Sequence, residues 1–202
     1  MNNKSNTLNP VKQLLPAGVA PNDHNIEFIG NISNKTVIWT RCGNSHEFKN
    51  LPQEIYNALE ELFFTDQTAI GLLTKFYPES ADNVSRLVEI YTYYMYGQCD
   101  STPDVINGEL QPCENLRDHA DCISRGFDNK FFDINGVHLT PRDLKIIDLA
   151  VAGEPDKAIA GELGIHIRTF DFHKRRLFDK IAAQSKIDLV RESLLNQVSC
   201  AV

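Results

Sequence analysis

No stretch of the 202-residue chain reaches the roughly 18 uninterrupted apolar residues that a membrane helix requires. The opening residues, MNNKSNTLNP, are polar and lack the apolar centre of a secretory signal, so the expected compartment is the cytoplasm and no membrane partner is implied. The five cysteines, Cys42, Cys99, Cys113, Cys122 and Cys200, are an odd number without an export signal, which argues against a disulfide framework and for free thiols or a metal site. Nucleophile elbows of the Gly-x-Ser-x-Gly kind and Gly-rich phosphate loops are missing, and the six histidines are scattered. The chain therefore reads as a non-enzyme. Positive charge is also in short supply: the formal net charge is −7.

What is present is unevenly distributed. Residues 1–137 carry 10 Lys and Arg against 18 Asp and Glu, a net of −8, whereas residues 138–202 carry 10 against 9, a net of +1. Within the second part, Arg168, Lys174, Arg175, Arg176 and Lys180 fall in the short run from Ile167 to Ile181. Phosphate binding depends on such local Lys and Arg, so the overall acidity does not exclude a nucleic-acid partner.

The pattern divides the chain into four parts. Residues 1–25 mix Asn, Pro, Gly and Ala without periodicity and read as a flexible arm. Residues 26–96 predict an α-rich domain with a small β-hairpin. IEFIGN and KTVIWT are its strands, and three helices follow, starting at Asn50, at Thr65-Asp66 and at Ser80. Residues 97–137 are punctuated by Pro, Gly, Asp and Asn and form a Cys-bearing connecting segment of which little is expected in a core. It ends in FFDINGV, a short strand or linker with an Asn-Gly turn. Tyr91, Tyr93, Tyr94 and Tyr96 read first as packing of the third helix and second as a pocket lining.

Residues 138–202 hold the strongest helical signal. Thr140-Pro141-Arg142-Asp143 combines a Thr N-cap, Pro in the first turn and an acid three after the cap. Leu144, Ile147 and Val151 form the core face, and Gly153 ends that helix. A second helix runs from Asp156 to Leu163 and stops at Gly164. A third, 167–181, buries Phe170, Leu177 and Ile181 and leaves Arg168, Asp171, Phe172 and Arg175 facing outward, flanked by Lys174, Arg176 and Lys180. Two short helices joined by a Gly-containing turn, the second of them basic, meet the physical specification of a helix-turn-helix that reads the major groove.

The stretch LTPRDLKIIDLAVAGEPDKAIAGELGIHIRTFDFHKRRLFDKI resembles the LuxR/FixJ-type C-terminal domain. Leu139, Thr140, Arg142, Leu149, Gly153, Lys157, Ile159, Ala160, Leu163, Ile165, Thr169, His173 and Lys180 fall at that pattern's positions without a gap. Asp156, Ala158, His166 and Phe170 depart from its usual Asn, Glu, Ser and Val. Joined to the α-rich N-terminal domain with a small β-hairpin read above, the resemblance, which covers the C-terminal part only, gives a mainly α protein that ends in a four-helix LuxR-type helix-turn-helix domain at 138–202. It implies a transcriptional regulator whose recognition helix 167–181 makes base contacts at Asp171, Phe172 and Arg175 and phosphate contacts near Lys157, Arg168 and Thr169. Lys174, Arg176 and Lys180 would meet phosphates beside them. The implied partners are double-stranded DNA, RNA polymerase, and a second copy of the chain through a terminal helix, Ser185–Gln197, that carries Ile187, Val190, Leu194 and Leu195. Region 4 of sigma factors has the same helical plan, but His173 and the terminal helix favour LuxR/FixJ. A helix-turn-helix used only for protein contacts is the alternative.

Cys99, Cys113, His119 and Cys122 lie within 24 residues and would form a Cys₃His set for structural Zn²⁺, although no C-x-x-C pair appears. Buried or free thiols are the competing reading. Asp100, Asp104, Asp118 and Asp121 around them are expected to be solvated loop acids.

Overall fold

The structure is a computed structural model that describes residues 15–200. The described residues form a mainly helical fold with seven α-helices and three small antiparallel sheets. No helix among them is long and apolar enough to cross a membrane.

Strands β1 (Glu27–Gly30), β2 (Val37–Arg41) and β3 (Asn44–Glu47) form an antiparallel sheet in that order. The expected hairpin is thus extended by a third strand, which the polar run NSHE conceals because it lies exposed on the sheet edge. Its signal is the two-residue turn Cys42-Gly43, with φ of 50° and 78°, the positive angles that a tight hairpin requires. Asn107-Gly108 and Asn135-Gly136 make the same turn between β4 (Val105–Ile106) and β5 (Glu109–Leu110), and between β6 (Asp133–Ile134) and β7 (Val137–His138).

Helices α1 (Gln53–Thr65) and α2 (Gln67–Phe76) pack against each other and against α3 (Val84–Tyr96), which packs on the first sheet. Two expected starts move. Phe48–Asn50 and Pro78–Ser80 are separate 3₁₀ turns, so α1 begins after Pro52, and Asn83 rather than Ser80 caps α3, its side chain accepting from the Arg86 N–H. Asp66 caps α2 as expected, and it does more. Wholly buried, it accepts from the N–H groups of Ala69, Asp128 and Asn129 and from the Tyr91 hydroxyl. The four tyrosines of α3 are buried in this core, in line with the packing reading.

Residues 97–137 require a correction. They are not a mere connection: Val105, Cys122 and Phe127 join the first core, while Phe132 and Ile134 join a second. Pro- and Gly-punctuated backbone can be buried when side chains satisfy its polar groups, and here Asn115 bridges the Asp133 backbone and the Asn196 carbonyl. Arg117, buried, reaches across to Asp148 at 2.7 and 2.9 Å and to the Val198 carbonyl. The later part of the expected arm is packed. Residues 1–14 lie outside the described residues, but Ala17 is buried, with its N–H on the Asp100 carbonyl and its own carbonyl accepting from Thr40.

The second core belongs to α4 (Pro141–Val151), α5 (Asp156–Glu162), α6 (Ile167–Lys180) and α7 (Lys186–Leu195). The starts of α4 and α7 are legible chemistry. Thr140 and Asp143 form a reciprocal capping box on α4, and Ser185 accepts from Asp188 N–H at the head of α7.

Candidate nucleic-acid interface

A helix can read a groove only if it is held rigidly from behind. Phe170, Leu177 and Ile181 supply that hold, all buried beneath α6. The turn before it is tight: Gly164 adopts φ 65°, and the Ile165 N–H returns to the Ala160 carbonyl. His166 occupies the N-cap position, where its Nδ1 accepts from the Arg168 N–H at 3.2 Å. The imidazole therefore does the capping work of the usual serine hydroxyl.

Charged contacts lock the flanks. Arg142 donates to His173 Nε2 at 3.0 Å, and Lys180 meets Asp143 at 3.0 Å, both tying α6 to the start of α4. Burial alone would raise the Asp143 pKa, but the Thr140 N–H and the Lys180 ammonium outweigh it and hold the carboxyl below its ordinary value. Lys174 bridges Asp156 of α5 at 2.5 Å and Asp171 at 3.3 Å, and these carboxylates raise its pKa.

The outward stripe comprises Arg168, Thr169, Phe172, Arg175 and Arg176, all exposed, with Lys157 exposed on neighbouring α5. Arg168, Phe172 and Arg175 are four and three residues apart, so they share one face. Among the described residues, Lys157, Arg168, Arg175 and Arg176 make no ion pair. The Arg176 guanidinium lies 5.6 Å from the Phe172 ring centre. Six of the nine sequence-derived positions thus form an open face, while Lys174, Lys180 and Asp171 already have partners within the fold. The Asp171–Lys174 spacing of three is visible in the sequence. The Asp156–Lys174 and Asp143–Lys180 pairs, 18 and 37 residues apart, are not.

The expected zinc ligands are not brought together. Cys113 Sγ accepts from the Phe131 N–H at 3.3 Å, Cys122 is buried 3.1 Å from the Ser124 hydroxyl, Cys99 is exposed, and His119 is exposed beside Asp118. No three of these four residues have ligand atoms within 4.8 Å of one another. Among the described residues, the three-ligand group whose atoms lie within 4.8 Å of one another is instead Glu27, Asp104 and Glu114. Asp104 is almost wholly buried and the Asp118 carboxylate nearly so, which corrects their reading as solvated loop acids.

Residues 137–193 match the family described as bacterial regulatory proteins, luxR family. No curated protein and no solved structure matches the chain.

Proposed function

Residues 137–193 are a LuxR-family helix-turn-helix domain, and from that premise we propose that the protein is a sequence-specific DNA-binding transcriptional regulator with α6 seated in the major groove. The observation that carries this reading is the division of α6 into a buried apolar face and an open face of unpaired cations. Arg175 lies at the centre of that face and suits bidentate hydrogen bonding to guanine, while Phe172 offers apolar contact to a thymine methyl. Lys157, Arg168, Thr169 and Arg176 surround them as phosphate contacts. Asp171 accepts from cytosine N4 in this reading, its repulsion of phosphate being offset by Lys174.

Dimerisation through α7 belongs to the same proposal. Ile187, Leu194 and Leu195 are exposed on that helix at 80%, 53% and 70%, an apolar surface that a second copy would cover. Light scattering at high protein concentration, with and without DNA, should detect the dimer; a monomer in both conditions removes this part of the proposal.

The test of DNA reading is selection. Full-length protein is titrated against a randomised duplex pool at two salt concentrations and the bound fraction is sequenced. Salt-sensitive binding with an enriched motif is expected. Absence of binding at low salt would favour a helix-turn-helix that serves only protein contacts.

A further inference from the structure

Three carboxylates converge beside β1. Glu27 is on β1, and Asp104 and Glu114 flank the β4–β5 hairpin. Each is fixed through one oxygen by a backbone donor: Asp100 N–H to Glu27 Oε1 at 2.6 Å, Phe28 N–H to Asp104 Oδ2 at 2.7 Å, and Gln98 N–H to Glu114 Oε2 at 2.8 Å. That leaves the second oxygens. Glu27 is 0% exposed, yet its Oε2 has no partner, and Glu114 Oε1 is likewise buried and unpartnered. Oxygens from all three residues lie within 4.8 Å of one another. Oxygens bound about 2.3–2.6 Å from one Ca²⁺ lie at most about 5 Å apart, so the group has the dimensions of part of a hard-cation shell.

Grouping three acids away from water is costly without a countercharge. Burial pushes Glu27 up to about 8 and Glu114 up to about 9. The buried Lys130 ammonium, held by the Tyr94 carbonyl, draws Glu114 down only in part against this burial. Asp104 and Glu114 also line a cleft of about 460 Å³, whose far side is formed by Leu195, Asn196 and Gln197 at the end of α7. The cleft gives an ion an entry path and room for water ligands.

We propose that Glu27, Asp104 and Glu114 form a binding site for a hard divalent cation of the Ca²⁺ or Mg²⁺ class, completed by water from the cleft. The all-oxygen donor set selects against softer metals. Nothing in this proposal depends on DNA binding.

The test uses the full chain after EDTA treatment and dialysis, titrated calorimetrically with CaCl₂ and separately with MgCl₂. At least one ion should bind saturably at one per chain and raise the melting temperature. Glu27→Gln and Glu114→Gln should each weaken binding at least about tenfold, with circular dichroism reporting that they remain folded. Should either variant misfold, Mn²⁺ added to the wild-type chain locates the site directly, by paramagnetic broadening of the Phe28, Gln98 and Asp100 amide resonances. Failure of both ions to bind up to roughly 10 mM, beyond the weak end of calcium sites, would overturn the proposal and leave the acids protonated. So would broadening centred elsewhere, or binding unchanged in both folded variants.

Discussion

The two halves of the molecule bury different chemistry. The first core encloses charged and polar groups, among them Glu27, Asp66, Asp104 and Thr92, each held by long-range or backbone hydrogen bonds. The second core is built mostly from aliphatic and aromatic side chains; apart from Ser193 and the Arg117–Asp148 pair buried at its edge, its charges lie on the surface or in flanking ion pairs. The contrast predicts different weak points. One half should fail when hydrogen-bond networks are broken, the other when volume is removed.

The largest expected effect tests the second half. Phe170→Ala opens a cavity under α6 and should cost about 3–5 kcal/mol, measured by urea denaturation of the full chain. A loss below about 1 kcal/mol would mean that the helix is not held from behind. Next comes Asp66→Ala, which strands the buried Ala69 N–H and Tyr91 hydroxyl together with the half-buried N–H groups of Asp128 and Asn129. It should cost roughly 2–4 kcal/mol although little apolar volume changes. If Asp66→Ala were tolerated, the contrast between the two cores would disappear.

The charged flanks sharpen the comparison on a finer scale. Arg176→Ala should weaken DNA binding about equally on all sequences and lower the salt slope by about 1. Lys174→Ala should change the slope less, because its ammonium already faces Asp156 and Asp171. Equal slopes for the two variants would mean that those ion pairs open on DNA.

The smallest effect lies at acid pH. The folded pKa of Asp143 is held below the unfolded value of 3.8, so its contribution to stability is present above that value. It is lost as pH falls through the lower folded pKa. The wild-type melting temperature should therefore drop more steeply below about pH 4 than that of Asp143→Asn; parallel curves would remove this contribution.

The same contrast explains what the sequence discloses. In the second half, caps, periodicity and turn glycines are local signals. Thr140, Asp143, Gly153, Gly164 and Ser185 therefore mark the helix ends, and Phe170, Leu177 and Ile181 identify the buried face of α6 in advance. The open cationic stripe follows from that face. The pairing of Lys174 with Asp156 does not, because partners distant in sequence leave no periodic trace. In the first half, Asp104 meets the Phe28 N–H across 76 residues, and a chain of Pro, Asp and Gly around it reads as loop although it is packed. The strand Asn44–Glu47 was hidden by its polarity, with only the Cys42-Gly43 turn to announce it. The cysteines show the opposite failure, since proximity along the chain suggested a metal site that the fold does not assemble.

The most direct test of the central claim is the Arg175→Ala variant, assayed by fluorescence anisotropy on the selected duplex and on random duplex at two salt concentrations. The α6 reading predicts a loss of about 1–3 kcal/mol on the selected sequence with little change on random DNA. Equal losses on both, or no loss on either, would contradict it and take base reading away from this helix.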